Sequence, residues 1–171
     1  MRRWSTALLL MAAAVGGGCA RSARTIEAAF PRGISADPWE LVDDVWTGPA
    51  VRAASAVGED WSRIEPHGPI RAWLAVYRHH RNPERTMTVR AFAFDTRQTA
   101  QRVFDVWRPA DAPNFTIGDG GCFTEIGVMF VWGDTFFDIF ANGADWNAQM
   151  QAAYLTGFIE NKLPPPDAGQ E

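Results

Sequence analysis

The chain has 171 residues, of which 47% are hydrophobic and 21% are charged, and its formal net charge is −4. This balance is typical of one globular domain and excludes a chain that is disordered throughout. The acidic excess argues against a nucleic-acid partner, because phosphate backbones are bound by basic surfaces. Two cysteines, Cys19 and Cys122, are too few for the disulfide framework of a small secreted domain.

The first 18 residues have the pattern of an export signal. Arg2 and Arg3 give a positively charged start, residues 7–15 form an apolar run, and three glycines at 16–18 lead to Cys19. A helix that crosses a bilayer needs about 20 apolar residues. The run is therefore too short to remain in the membrane as a helix.

These residues resemble a bacterial lipoprotein signal, in which small residues precede a cysteine that becomes the lipid-bearing N-terminus. The resemblance covers residues 1–19 and implies that Cys19 carries the acyl chains and binds the protein to a membrane. Gly16 departs from the family pattern, where an aliphatic residue usually stands three positions before the cysteine. Cleavage near Cys19 without acylation is the alternative. Both alternatives locate the chain in the cell envelope, in the periplasm or at the outer surface.

After the signal, the chain divides into three parts. Residues 19–36 show little apolar periodicity and predict a tether, residues 37–163 a single domain, and residues 164–171 a flexible Pro-rich tail. Asp37, with proline next and glutamate three positions on, predicts the start of a helix. That helix would bury residues at near-helical spacing, namely Trp39, Val42, Val45 and Trp46. A short second helix is predicted near residues 49–57.

From residue 70 the pattern becomes that of strands. Residues 70–77 and 86–95 predict an antiparallel hairpin, and the first of these strands is apolar on both faces. Further strands are expected between 115 and 140. There, the Gly133-Asp134 pair predicts a two-residue hairpin turn that sets Phe130 opposite Phe137.

Two more helices complete the prediction. One follows the first hairpin, is capped by Asp95 or Thr96, and carries a regular apolar stripe of Ala100, Val103, Phe104 and Trp107. The other, capped by Asn142 or Asp145, is predicted to end before the prolines at 164–166 and to bury Met150, Tyr154 and Phe158. The order α-β-β-α-β-β-β-α predicts an α+β fold, with an antiparallel sheet of about five strands packed with helices.

Ionisable residues offer few candidates for chemistry. The histidines, His67, His79 and His80, lack the spacing of a zinc-protease helix, so we expect surface positions, no metal site and no cofactor. A metal at His79 or His80 would need a distant partner such as Glu84 or Asp95. Acidic residues are more numerous in the strand-rich region, at Asp119, Glu125, Asp134 and Asp138.

Asp138 is the most interesting of the acids, because it falls inside an apolar run. We expect it at a sheet edge facing solvent, since a buried carboxylate would need a partner and would otherwise have a raised pKa. Residues 118–121 could form an anion-binding nest, but a turn is the better interpretation because the motif lacks the P-loop residues. Cys122 is expected to be a small buried residue, with a reactive thiol as the less favoured alternative.

No catalytic motif is present, which favours a non-enzymatic envelope protein that binds an envelope protein partner or a small apolar ligand. One alternative is a small hydrolase that uses Asp119, Glu125 or Asp138 with a histidine. Such an enzyme predicts two of these groups within hydrogen-bond reach. A second alternative is a cell-wall or carbohydrate-binding module, which predicts two exposed tryptophan faces on one surface. The hairpin over 128–140 also weakly resembles small exported bacterial α+β domains whose roles are not known.

The signal predicts that Cys19→Ala removes the lipid anchor. In membrane fractionation we expect the wild-type chain with the membranes and the variant released from them. Intact mass should show acyl chains only on the wild type. Full-length chain in the cytosol, still carrying its first methionine, would contradict export itself.

Overall fold

The structure is a computed structural model that describes residues 26–143 and 147–165. The predicted signal, Cys19 and Asp145 lie outside these residues. Within them, eight strands form one antiparallel sheet. The strands are, in chain order, β1 (Trp39–Leu41), β2 (Trp46–Pro49), β3 (Arg71–His79), β4 (Asn82–Ala93), β5 (Asn114–Phe115), β6 (Gly120–Phe123), β7 (Gly127–Trp132) and β8 (Thr135–Asn142).

The strands lie in the order β1-β3-β4-β8-β7-β6-β5, and β2 also pairs with β3. β1 and β2 share one edge of β3, because β1 pairs with its last residues and β2 with its first. The other edge of β3 pairs along its length with β4. β4 and β8 therefore stand in the middle of the sheet, and the two-residue strand β5 stands at the far margin.

Helices cover both faces of the sheet. The two longest among the described residues are α1 (Arg97–Trp107) and α2 (Ala148–Glu160), and a series of short helical turns runs from Ala50 to His67. α1 and this series pack on one face, which we call the α1 face. α2 and the helical residues 26–29 pack on the other, the α2 face.

Central strands are apolar on both sides because both faces are covered. On the α2 face, Trp73 and Phe130 are buried with Leu155 of α2. On the α1 face, Phe92 and Phe136 are buried with aromatic and aliphatic residues of α1. Burying a large apolar side chain contributes about 1.5–3 kcal/mol, so these two layers supply most of the stability of the fold.

The predicted fold class is wrong in its proportions. We expected a sheet of about five strands with helices, whereas the described residues form a sheet of eight strands with a few mostly short helices. The three additional strands are the short segments β1, β2 and β5, at the margins of the sheet. Such strands carry too few residues to show a clear alternation in the sequence.

The predicted helix over residues 37–46 is replaced by β1, a turn and β2. The residues of its predicted apolar stripe do not share one buried face. Trp39 and Val45 are buried, while Val42 and Trp46 are exposed. The free edge of β3 explains the difference. Its backbone N–H and C=O groups require partners, and pairing with them outweighs the local helix signal.

Other predictions are confirmed. β3 and β4 form the antiparallel hairpin. β7 and β8 pair with Phe130 opposite Phe137, and Gly133 in the turn between them has a φ of 60°. The Thr96 side chain caps α1, accepting a hydrogen bond from the Thr99 backbone N–H, and the whole predicted stripe of α1 is buried. In the segment predicted as a short second helix, the helical turns continue as far as His67.

The packed domain begins before Asp37. Of the residues expected to form a tether, 19–36, the later part contributes Ile26 and Phe30 to the core of the α2 face. The Tyr77 hydroxyl donates a hydrogen bond of 3.0 Å to the Pro31 carbonyl and so fixes this segment to β3. At the other end, the Trp132 indole donates to the carbonyl of Pro164, in the predicted tail.

The last helix buries a different face from the one predicted. Met150 and Tyr154 are exposed, and Phe158 is only partly buried. The helix instead approaches the sheet through smaller residues, Ala148 and Ala152, which place its axis close to the strands, and through Leu155 and Ile159. No described helix has the length and apolar character needed to cross a membrane.

Two glycines offer a matched test of this packing. A Cβ at Gly157 in α2 would meet nothing within 4 Å, so Gly157→Ala should raise the free energy of unfolding by about 1 kcal/mol through helix propensity. A Cβ at Gly127 would collide with the Ile139 carbonyl oxygen. Gly127→Ala should therefore separate β7 from β8 and lower the free energy of unfolding. Urea unfolding measures both. Equal effects of the two substitutions would contradict the strand register.

Candidate functional site

The helical layer covers only part of the α1 face. One row of residues across the central strands, Ala72, Phe92 and Phe136, is completely buried. The row four residues further along, formed by Val76, Thr88 and Phe140, lies beyond the layer. Val76 is 42% exposed, and the other two are partly buried. The sheet therefore presents an apolar strip to solvent beside the edge of the helical layer.

An ion pair lies between the covered and the open rows. Arg90 of β4 and Asp138 of β8 are direct cross-strand partners, and each side chain is only 8% exposed. The Arg90 Nε donates a hydrogen bond of 3.0 Å to the Asp138 Oδ2, and Nη2 donates to the same oxygen. An isolated charge at this depth would be costly, so each residue depends on the other.

The expectation for Asp138 is therefore wrong. The sequence predicts a solvent-facing edge, whereas β8 lies in the middle of the sheet and Asp138 is 5% exposed. Burial raises the pKa of the Asp138 carboxyl, and the Arg90 guanidinium offsets part of that rise through its charge and hydrogen bonds.

A second carboxylate holds the other end of Arg90. Asp60, at the end of the short turn Gly58–Asp60, accepts hydrogen bonds of 2.9 Å from both Nη1 and Nη2 through its Oδ2. Unlike Asp138, it is 39% exposed. Its other oxygen lies 4.0 Å from Nη1 of Arg63. Arg90 is thus shared between one buried and one accessible carboxylate.

Aromatic rings enclose the same guanidinium. The Arg90 Cζ lies 4.5 Å from the centre of the Phe140 ring and 5.8 Å from that of Trp107. Arg63 stacks on Trp107 at 4.3 Å. Cation–π contacts of this kind contribute about 0.5–2 kcal/mol each, more where water is excluded. They also help to orient the buried guanidinium of Arg90.

Together these groups form an open groove of about 280 Å³, which we call the Arg90 groove. It is lined by Asp60, Arg63, Arg90, Trp107, Thr124, Ile126, Met129, Asp138 and Phe140. Its volume is just below the usual range for small-molecule sites, about 300–1,000 Å³. Apolar and aromatic walls around a few convergent polar groups are the usual composition of such a site.

A second groove of about 290 Å³ adjoins the first. It runs along the loop after α1, from Pro109 to Pro113, and along residues 123–125, and Gln149 of α2 also lines it. Thr124 contributes to both grooves. The second groove contains no buried charge pair, so the Arg90 groove is the stronger candidate for specific binding.

The acids proposed for a hydrolase are held in different places. Asp119 accepts a hydrogen bond of 2.7 Å from the Gly133 backbone N–H and pairs with Arg97, so it fastens the 118–121 turn to the β7–β8 hairpin and to α1. Glu125 is exposed beside the second groove. No hydrogen bond or ion pair among the described residues joins either of them to Asp138 or to a histidine.

Backbone hydrogen bonds also argue against an anion-binding nest at residues 118–121. The Asp119 N–H donates to the Val131 carbonyl at 2.9 Å, and the Gly120 N–H to the Ile117 carbonyl at 3.2 Å. A Cβ at Gly118 would collide with the Val131 carbonyl oxygen, and the φ of Gly118 is 51°. The segment is a tight turn, as expected, and these two N–H groups are bonded to carbonyl groups of the protein.

His79 and His80 have other neighbours than the acids proposed for a hydrolase. His80 lies 3.0 Å from Asp37, and both groups are largely exposed. His79 packs edge-on against Trp39, and partial burial together with the neighbouring His80 lowers its pKa. Within the described ranges, no three histidine, cysteine or acidic side chains are grouped so that they could hold a metal ion.

Tryptophans of the described residues are mostly covered. Trp39 and Trp73 are buried, and the face of Trp107 carries Arg63. Trp46 is 37% exposed, and its ring lies beside Gly48. The two aligned indole faces that a carbohydrate module would need are not found among the described tryptophans. Cys122 is fully buried, and burial raises the pKa of its thiol.

Sequence reasoning identified Asp138 but missed Arg90, Asp60 and Arg63. A signal for Arg90 was present, because it is the one charged residue in the apolar part of β4 and shares its face with Phe92 and Phe94. The pairing of β4 with β8 brings it opposite Asp138. Asp60 and Arg63 had no comparable signal, since they lie in short helical turns whose position depends on packing.

The buried pair predicts a strongly non-additive pair of substitutions. Arg90→Met should lower the free energy of unfolding by about 3–5 kcal/mol at pH 7, because the buried Asp138 carboxylate loses its partner. Adding Asp138→Leu should recover most of that loss. Since burial raises the pKa of Asp138, its carboxyl takes up a proton more readily as the pH falls, so the Arg90→Met deficit should be smaller at acidic pH than near pH 8.

Urea denaturation of the two single variants and the double variant measures this effect. A double variant as unstable as the sum of the single variants would show that the charges do not depend on each other.

No family model matches this chain, and neither the curated proteins nor the solved structures include a match to it.

Proposed function

We propose that this chain is an exported, non-enzymatic protein of the cell envelope that binds a small, partly apolar ligand in the Arg90 groove. The signal-like residues 1–18 support export, and Cys19 supports attachment to a membrane through lipid. The single observation that carries the binding proposal is the open apolar strip of the sheet, with a buried ion pair along its border.

The open strip supports binding because apolar side chains there remain uncovered while equivalent ones nearby are buried. Val76 and Phe140 belong to the same strands as Ala72 and Phe136, which the helical layer covers completely. A ligand lying on the strip would continue that layer and remove the remaining apolar surface from water, at roughly 25 cal/mol for each Å².

Polar groups beside the strip would orient the ligand. Arg90 and Asp138 are fixed by cross-strand pairing and by aromatic contacts, so their positions do not have to be ordered when a ligand arrives. Such pre-organisation lowers the entropic cost of binding. The volume of the groove favours a small molecule over a folded protein partner.

The hydrolase alternative loses support because its three acids, Asp119, Glu125 and Asp138, have separate surroundings. Asp138 has the raised pKa that a general acid needs. However, one of its oxygens is engaged by two donors of Arg90. We therefore favour binding as the role of the groove.

Fluorescence titration with 8-anilinonaphthalene-1-sulfonate, a probe of apolar sites, tests this proposal. We expect one binding site, weakened severalfold by Ile126→Ser and by Phe140→Ser, because both residues line the groove. Val51→Ser is the matched control, because Val51 is 68% exposed and does not line the groove. Circular dichroism checks that each variant is folded.

Absence of probe binding to the wild-type domain would contradict the proposal. Equal weakening by all three substitutions would contradict it too, since the bound surface would then not be the groove.

A further inference from the structure

We propose that the Arg90 groove recognises a small carboxylic acid with an apolar body, and that Asp60 occupies the position of the ligand carboxylate until the ligand displaces it. This inference rests on the proposed binding function and adds the chemical class of the ligand. It is carried by the unequal roles of the two carboxylates that share Arg90.

Asp138 serves as the fixed anchor of the guanidinium. It is buried, it lies on a central strand, and it accepts hydrogen bonds from both Nε and Nη2 of Arg90. Nη2 is shared, and the adjacent edge of the guanidinium, formed by Nη1 and Nη2, faces Asp60 and the groove. A guanidinium end with two N–H donors matches the two oxygens of a planar carboxylate.

Asp60 is a replaceable occupant of that end. It accepts both N–H groups through one oxygen only, its side chain is 39% exposed, and it lies on a short turn rather than on a strand. Although it stands at the start of the next helical turn, its side chain makes no capping hydrogen bond there. Displacing it therefore breaks the ion pair with Arg90 without removing a cap.

Displacement also leaves Asp60 beside a second cation. Arg63 already lies 4.0 Å from the other Asp60 oxygen, and half of its side chain is exposed. An Asp60 carboxylate that swings outward meets Arg63 and water, so it does not become a buried unpaired charge. The exposed pair with Arg63 is weak, so the ligand carboxylate itself must replace the hydrogen bonds that Arg90 donates to Asp60.

Charge balance favours a monoanion. Two arginines and two aspartates line the groove, and exchanging one carboxylate for another keeps the charge next to Arg90 unchanged. A phosphate dianion would add negative charge near the buried Asp138. The rest of the ligand would lie on Phe140 and Ile126, so an aliphatic or aromatic acid fits better than a polyhydroxylated one.

The closing experiment measures the affinity of octanoate and of its neutral counterpart, octan-1-ol, by calorimetry at pH 7. Asp60→Asn removes the competing charge, so octanoate should bind about tenfold tighter while octan-1-ol changes less than about twofold. Glu59→Gln is the matched control, because it removes an adjacent exposed acid that does not line the groove. It should leave both affinities unchanged.

A second variant examines the guanidinium itself. Arg90→Lys keeps the positive charge but loses the paired donors, and it should weaken octanoate binding about tenfold with little effect on octan-1-ol. Circular dichroism establishes that it is folded. The Asp60→Asn result stands on its own if Arg90→Lys does not fold.

Octanoate affinity that is unchanged or weaker in Asp60→Asn would overturn the exchange. Equal binding of octanoate and octan-1-ol in every variant would overturn carboxylate recognition while leaving the groove as an apolar site. Failure of the fluorescent probe to bind the wild-type domain would instead contradict the proposed function.

Discussion

One positive charge in the middle of an apolar sheet constrains how the rest of the chain is arranged around it. Arg90 lies on a central strand, and only carboxylates brought from elsewhere in the chain make that position tolerable. Asp138 supplies one through the pairing of β4 with β8. A shift of that pairing by one residue would turn Asp138 to the other face. The ion pair thus favours a single register for the two central strands.

The same charge connects the helical layer to the sheet. Asp60 reaches Arg90 from the series of short turns between Ala50 and His67, which has no long helix of its own. Buried alanines and Ile64 attach this series to the α1 face. The layer stops at Arg90, and beyond it the sheet lies open. The contact between Arg90 and Asp60 therefore marks the boundary between the buried core and the groove.

Local patterns were sufficient for the middle of the chain. The stripe of α1, the β3–β4 hairpin and the β7–β8 turn each depend on residues close in sequence. The local sequence was therefore enough to predict them. The segment from Trp39 to Trp46 failed because a local helix pattern competed with pairing to a distant strand edge. In α2, small residues near the sheet displaced the larger ones that hydrophobicity alone would bury.

The site was harder to predict than the fold. Asp138 was noticed because it interrupted an apolar run, yet its surroundings depended on which strand stood beside it. Arg90 comes from a strand 48 positions earlier and Asp60 from a turn 30 positions before that. Only the strand order of the whole sheet brings the three together. In such a sequence, two opposite charges that each interrupt an apolar strand, such as Arg90 and Asp138, predict that the two strands pair.

The short marginal strands have a consequence for how the domain meets other copies of itself. One border of the sheet is divided between β1 and β2, each of three or four residues, and β2 ends in proline. The other border is the two-residue β5. Neither border of the sheet offers a long, continuous row of free amide and carbonyl groups with which a strand of another polypeptide could pair. A domain with so many apolar strands is in this way kept from growing into larger cross-strand aggregates.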